Sequence, residues 1–291
     1  MTASVEPMPL PAQRGTALSR ALERVRHWVL PAYAGLALAY LFLPIAIVIA
    51  FSFNDPKGRF NYTWSGFTFK NWAHPFAVPG IGSALRISLE IALISSVVAT
   101  ALGALMALGM MRHRFRGRGL INTLVFIPMT TPEIVMGSSL LTLFFQKWPL
   151  IGYWHLGFGT ILVAHITFNI SYVVVTVRAR LAGFDNHVEE AAHDLGADGW
   201  TTFWKVTLPL IAPGVLAAGL LAFALSVDDF VITYFNSGET TTFPLFVWGA
   251  ARVATPPQIN VIGTMIFVVA VGIALTNVIA QGRRARRIAA A

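Results

Sequence analysis

The run Asn186-His-Val-Glu-Glu-Ala-Ala-His-Asp-Leu-Gly-Ala-Asp-Gly-Trp-Thr-Thr-Phe-Trp-Lys-Val-Thr-Leu-Pro209 falls in the longest polar interruption of a chain otherwise built of apolar blocks. Asn186 followed by Glu189 reads as a capping box that opens a short helix, and Gly196 sits where a left-handed residue closes one. One face of that helix carries Val188, Ala191, Ala192 and Leu195, while Glu189, Glu190 and Asp194 are acidic. Asp198 is placed to cap a second short helix presenting Trp200, Phe203 and Trp204. Large aromatics on a polar loop need cover, from the ends of neighbouring helices or from a partner protein.

Outward from this loop the composition decides the class. Of 291 residues, 56% are hydrophobic and only 12% charged, with a mean hydropathy of +0.66. That is about half the charged share of a globular protein, too little to cover a soluble surface. Apolar runs long enough to cross a bilayer fall at 30–53, 84–111, 120–145, 157–177, 208–232 and 259–281. The chain therefore reads as an all-α membrane protein with six transmembrane helices. The first run has no small-residue cleavage site after it and reads as a retained span rather than a signal. The layout becomes an N-terminal tail over 1–27, a first span and outer loop over 28–82, and a core of five spans over 83–281. The core carries the loop 178–207, and a basic tail follows over 282–291.

The net charge of +8 follows topology. With the N-terminus inside, cytoplasmic segments hold Arg14, Arg20, Arg24, Arg26, Arg112, Arg114, Arg116, Arg118, Arg178, Arg180, Lys205, Arg283, Arg284, Arg286 and Arg287. Outer loops hold Lys57, Arg59, Lys70, Lys147 and Arg252. Fifteen against five sets both termini in the cytoplasm and leaves no nucleic-acid footprint to explain. Zero cysteines exclude thiolate metal sites and a cysteine nucleophile.

Within the spans, Pro128 and Pro132 predict a kink or break in the third, and Pro209 and Pro213 open the fifth. Ala99, Gly103 and Ala107 make a small-residue stripe on the second. Aromatics of the outer loop, among them Trp64, Phe67, Phe69 and Trp72, read as interfacial anchors. His165 and Asn169 read as satisfied interhelical hydrogen bonders. Four carboxylates fall at membrane depth: Glu90, Glu133, Asp228 and Asp229. Ionisable groups there are costly and face a bundle interior or water path. Glu90 lies four residues from Arg86, the spacing of an ion pair. Glu133, Asp228 and Asp229 remain as substrate-path residues, and an acidic path favours a cationic solute. Successive helix positions differ by about 100°, so Asp228 and Asp229 cannot both face a pore unless the helix unwinds.

Glu190-Ala191-Ala192, three residues to Gly196 and nine to Val206-Thr207-Leu208-Pro209 resembles the EAA loop of permease subunits in bacterial ABC importers, with Val206 where the family has Ile. The resemblance covers residues 80–281 and implies the type I ABC importer permease fold in the inner membrane. It also implies that Glu189, Glu190, Ala191, Ala192, Asp194, Leu195 and Gly196 form a coupling helix seated in a groove of a separate ATPase. Small residues permit that close seating and Glu190 can pair with a basic group. The chain has no Gly-x-x-x-x-Gly-Lys phosphate loop. ATP and Mg are thus expected on partner subunits, with no catalytic residue, metal or cofactor in this chain. The resemblance implies a second permease subunit, two ATP-binding cassette subunits and an external solute-binding protein as partners.

Within that family, Thr131-Pro132-Glu133-Ile134-Val135-Met136, His165-Ile166-Thr167-Phe168, Glu189 to Ala197 and Leu225-Ser226-Val227-Asp228-Asp229 resemble permeases of spermidine/putrescine importers. Gln258 is neutral where the family's Pro-Glu-Ile/Val-Asn has Glu. A polyamine is the expected cargo, with an opine-like compound or an amino acid as the alternative. A channel or secondary transporter, the rival of a different class, would have no use for the EAA loop.

Overall fold

The computed structural model describes residues 17–113, 115–147, 152–185 and 187–289; residues 1–16 of the expected tail, with Arg114 and Asn186, lie outside the described residues. In chain order the helices are α1 (Ala17–Ser52), α2 (Lys70–Ala73), α3 (Ile81–Arg112), α4 (Arg118–Thr130), α5 (Glu133–Phe144), α6 (Phe158–Leu181), α7 (His187–Asp194) and α8 (Gly199–Thr202). A π-helical turn (Phe203–Thr207) then leads into α9 (Leu208–Asp228), α10 (Val231–Asn236), α11 (Phe243–Val253) and α12 (Pro257–Ala289). Among the described residues five helices are long and apolar enough to cross a membrane, and the bent pair α4–α5 makes a sixth crossing if counted as one span. Among the described residues the only extended pairing is an isolated bridge between Asn54 and Phe67.

The chain divides into two compact units, one of residues up to Pro75 together with those from Asn260, the other of Phe76–Ile259. In the first, α1 begins at Ala17, so the helix takes in residues 17–27 of the stretch drawn as a tail. Likewise α12 runs to Ala289 through most of the basic tail. The loop after α1 is ordered around the fully buried Asn54, whose Nδ2 donates to Asn61 Oδ1 at 2.6 Å and to Thr63 O at 2.8 Å. Its Oδ1 accepts from Ser65 N at 2.8 Å. A buried amide that spends its donors and acceptor on its own loop fixes that loop, because leaving them unmade would be expensive. Phe53 stacks on Phe67 and Trp72 beside it, so part of the aromatic set packs inward while Phe67 and Phe69 stay exposed.

In the second unit α3, α6 and α9 pack into a three-helix core whose largest cluster includes Ala99, Ala107, Val173, Val177, Ala218 and Ala222. A Cβ built on Gly103 would stand 2.7 Å from Val173 Cγ1, so at the expected small-residue stripe α3 and α6 pack with no room for a side chain on Gly103.

The third span breaks. α4 and α5 meet at 110°, with Thr131 held extended at φ −77°, ψ 132°. The residue before a proline is sterically driven out of the helical region, and Pro132 has no N–H to continue the ladder. Beyond the bend α5 packs closely on α10: a Cβ on Gly137 would meet the Phe235 ring at 2.8 Å and Ile232 Cα at 3.4 Å. Asn236 Nδ2 donates to Gly137 O at 3.3 Å across the same contact.

The fifth span differs from its expected bounds of 208–232. It starts at Gly199, because α8, the π-helical turn and α9 run on without a break, and it stops at Asp228. Asp229 leaves the helix at φ −61°, ψ 123°, and its carboxylate accepts from Thr233 N at 2.8 Å and Ile232 N at 3.4 Å. A side chain that caps the next helix ends the one before it.

Candidate functional site

The loop helix α7 is built much as its residue types require. Gly196 adopts φ +85°, a conformation that costs glycine nothing, and its N–H reaches His193 O at 2.9 Å while Ala197 N reaches Ala192 O at 3.0 Å. At the start of α7, Asp185 Oδ1 accepts from His187 N at 3.0 Å and stands 2.7 Å from His187 Nδ1. That contact draws the Asp185 pKa down and the His187 pKa up. Asp198 caps α8 by accepting from Thr201 N at 3.1 Å, and the Thr201 side chain and then this backbone N–H lower its pKa.

The capping box expected of Asn186 and Glu189 falls on Asn186, which lies outside the described residues, and the structure gives Glu189 other partners. Its carboxylate turns inward, accepting from Arg112 Nη2 at the end of α3 and from Thr207 Oγ1 at the end of the π-helical turn that leads into α9, while Arg112 also donates to Thr207 Oγ1 at 3.1 Å. Of the seven residues expected on the coupling surface, Ala192 is buried and Glu189 half-buried, whereas Glu190, Ala191, Asp194, Leu195 and Gly196 are exposed. Leu195 is 90% exposed and Trp200 70%, and Trp204 packs edge-on against Trp200 at 5.6 Å. The loop thus offers an uncovered apolar surface bordered by acids, while Glu189 ties it to two membrane helices.

The membrane carboxylates separate by environment. Asp229 is sealed in: its Oδ2 accepts from Thr233 Oγ1 at 2.8 Å and lies 3.2 Å from His165 Nε2. His165 Nδ1 meets Ser226 Oγ at 2.6 Å, and Ser226 Oγ meets Ser95 Oγ at 3.0 Å, so one polar string joins α3, α6, α9 and α10. Asp228, the last residue of α9, is exposed, and so is Glu133 in the first turn of α5 just past the bend. Glu90 bonds Arg86 Nε at 2.7 Å, as its spacing predicts. His165 is satisfied, but Asn169 corrects the expectation: it is fully buried and both its amide atoms lack a partner. Among the described residues no three His, Asp or Glu side chains converge as metal ligands.

One cluster escaped the sequence reading. Phe230, Tyr234 and Trp248 touch one another with ring centroids 5.4–5.7 Å apart, and Arg252 lies over Trp248 with Cζ 3.6 Å from the ring centroid. The signal was there in two four-residue spacings, 230 to 234 and 248 to 252. Nothing local says that the two pairs meet.

The chain belongs to the family described as binding-protein-dependent transport system inner membrane component, whose model matches residues 99–287. It is a multi-pass permease subunit of an ABC importer in that membrane. It is 41% identical over 231 residues to the spermidine/putrescine transport system permease protein PotC of Escherichia coli, covering 79% of this chain and 85% of that one. Identity to the putrescine transport system permease protein PotI of Escherichia coli is 36% over 235 residues, 79% and 83% of the two chains. The fold matches a chain of a bacterial alginate ABC transporter, solved in complex with an alginate pentasaccharide-bound periplasmic protein. There the TM-score is 0.62 at 17% identity, over 88% of this chain and 95% of that one.

Proposed function

We propose that this chain forms part of the translocation path for polyamines, spermidine- or putrescine-like cations, and couples it to ATP hydrolysis on a separate subunit. The 41% identity to a spermidine/putrescine permease carries the cargo assignment. The exposed carboxylates Glu133 and Asp228 agree with it, since an acidic path attracts a polycation. The sealed Asp229 holds the break at which Asp228 is presented. Glu190, Ala191, Asp194, Leu195 and Gly196 seat in the groove of an ATPase, where ATP and Mg bind, and Glu189 carries the movement to α3 and α9. The assembly contains a second permease subunit, two ATPase subunits and a solute-binding protein outside the membrane. The fifteen-to-five distribution of basic residues supports a cytoplasmic position for both termini.

Purifying the assembled complex with its binding protein and measuring solute-stimulated ATP hydrolysis over a panel of polyamines, amino acids and opine-like compounds tests the cargo. Stimulation by spermidine or putrescine is expected, and stimulation only by another class reassigns it. A reporter active only in the cytoplasm should work when fused at Arg116 and Asp194 and fail at Gly66 and Ser237. Activity at Gly66 would overturn the orientation.

A further inference from the structure

We propose that Arg178 is a positioning residue of an inner gate: through its bond to Asn122 it holds α4 against α6, and cargo at Glu133 passes inward only when that bond opens. The inference deepens the polyamine-import reading and rests on it.

Of the 13 residues of α4 only Val125 is buried, while Leu120, Leu124 and Ile127 are exposed. Both ends of the helix are pivots. Before it Gly117 adopts φ +93° with open space around it, a backbone state that glycine takes freely. After it the extended Thr131 and Pro132 turn the chain by 110° into α5. A helix of this length is a rod of about 20 Å. Glu133 stands two residues past the far pivot, so in the orientation proposed above α4 is the segment between that carboxylate and the cytoplasm.

The elements beside α4 are fixed more firmly. α6 is locked to α9 near its inner end, where a Cβ on Gly214 would stand 2.5 Å from Arg180 Cγ, and α5 is pressed on α10 at Gly137. By contrast α4 is held on α6 by Val125 and Ile121 at the core cluster and by a hydrogen bond, Arg178 Nη1 donating to Asn122 Oδ1 at 2.5 Å. Both side chains are half-buried, and among the described residues no carboxylate lies within ion-pair distance of Arg178. The guanidinium therefore spends itself on a neutral amide. Such a bond opens at modest cost, whereas a carboxylate in the same place would make a charge-assisted, two-pronged pair. Asn122 lies nine residues before Thr131, about 14 Å along the helix, so rotation at the hinge moves α4 most toward the end that the latch holds.

Because the chain has no cysteine, the latch can be bridged on demand in the assembled importer. Asn122→Cys with Arg178→Cys, joined by a short bis-methanethiosulfonate, should stop spermidine uptake, and dithiothreitol should restore it. Each single variant and the wild type, treated alike, should keep their uptake. Basal ATP hydrolysis, which needs no solute, reads the same latch without a cross-link. Asn122→Ala loosens it and Asn122→Asp tightens it, so the two should shift that rate in opposite directions from wild type, each by roughly two- to tenfold, the range of one hydrogen bond. Asn122→Asp should also lower the maximal uptake rate at an unchanged half-saturating concentration, because it slows the gate and leaves the cargo site alone. Uptake that survives bridging would overturn the latch, and so would basal hydrolysis that is equal in the three chains or moves the same way in both variants. A wild-type complex that ignores spermidine, while the two variants still diverge in basal hydrolysis, would retain the latch and reject the cargo.

Discussion

His165 on α6 and Asp229 at the break between α9 and α10 hold each other inside the bundle, Nε2 to Oδ2 at 3.2 Å, with side chains 3% and 6% exposed. One residue earlier Asp228 is exposed. Two adjacent carboxylates of identical chemistry therefore sit in opposite environments.

Asp229→Ala leaves Thr233 N and Oγ1 without their acceptor and takes the carboxylate away from His165 Nε2. We expect the complex in detergent to lose about 1–3 kcal/mol of stability, the cost of a stranded buried polar group, with a lower melting temperature. Asp228→Asn should keep the melting temperature and lose polyamine uptake. Equal melting of the two variants would reject the division.

The Arg112–Glu189 contact predicts a charge-swap result. Glu189→Arg places like charges together at the junction of α3, α7 and α9, so uptake should fall sharply. Arg112→Glu in the same chain should recover a substantial part. Glu190→Lys, on the exposed side, should weaken co-purification with the ATPase, and no change at position 112 should rescue it. Rescue of Glu190→Lys by Arg112→Glu would show that Glu190 shares the inner contact.

Two glycines should fail for different reasons. Gly196 has open space around it and φ +85°, so Gly196→Val costs about 1–2 kcal/mol of local backbone strain. That should uncouple transport while membrane insertion survives. Gly103 is helical but pressed on Val173, so Gly103→Ala forces α3 from α6 at about 1–3 kcal/mol and should lower thermal stability. Ultracentrifugation of membranes and thermal melts separate the two.

At the start of α7 the pH response has a defined sign. The hydrogen bond to Asp185 raises the His187 pKa above its ordinary 6.5, so that share of the clasp is complete below 6.5 and lost as pH rises through the raised value. The Asp185 pKa lies below its ordinary 3.8, so its share holds above 3.8 and is lost as pH falls through the lowered value. The clasp is whole in the window between. Histidine-directed acylation followed against pH should give an apparent pKa for His187 above 6.5, and Asp185→Asn should bring it down toward 6.5. No difference between the two profiles would dissolve the clasp.

Much of this architecture is legible residue by residue. Apolar runs of bilayer length, the Pro128–Pro132 pair, Gly196 as a helix closure, Asp198 as a cap and the Arg86–Glu90 spacing all act over a few neighbouring residues, so sequence separation and spatial separation coincide. The EAA spacing is local in the same way, since it spans one short helix and the start of the next span. Tertiary structure decided the rest. Glu189 reads as a capping partner because its neighbours in sequence make it one, yet the basic group that claims it is Arg112, 77 residues away. Asp228 and Asp229 cannot be told apart by type or period, and only His165 from another helix, with Thr233 beyond the break, selects which is sealed and which is presented. Asn169 and the ring cluster of Phe230, Tyr234 and Trp248 follow the same rule. A polar or aromatic side chain at membrane depth takes its role from whichever helix packs beside it, and local periodicity holds no record of that neighbour.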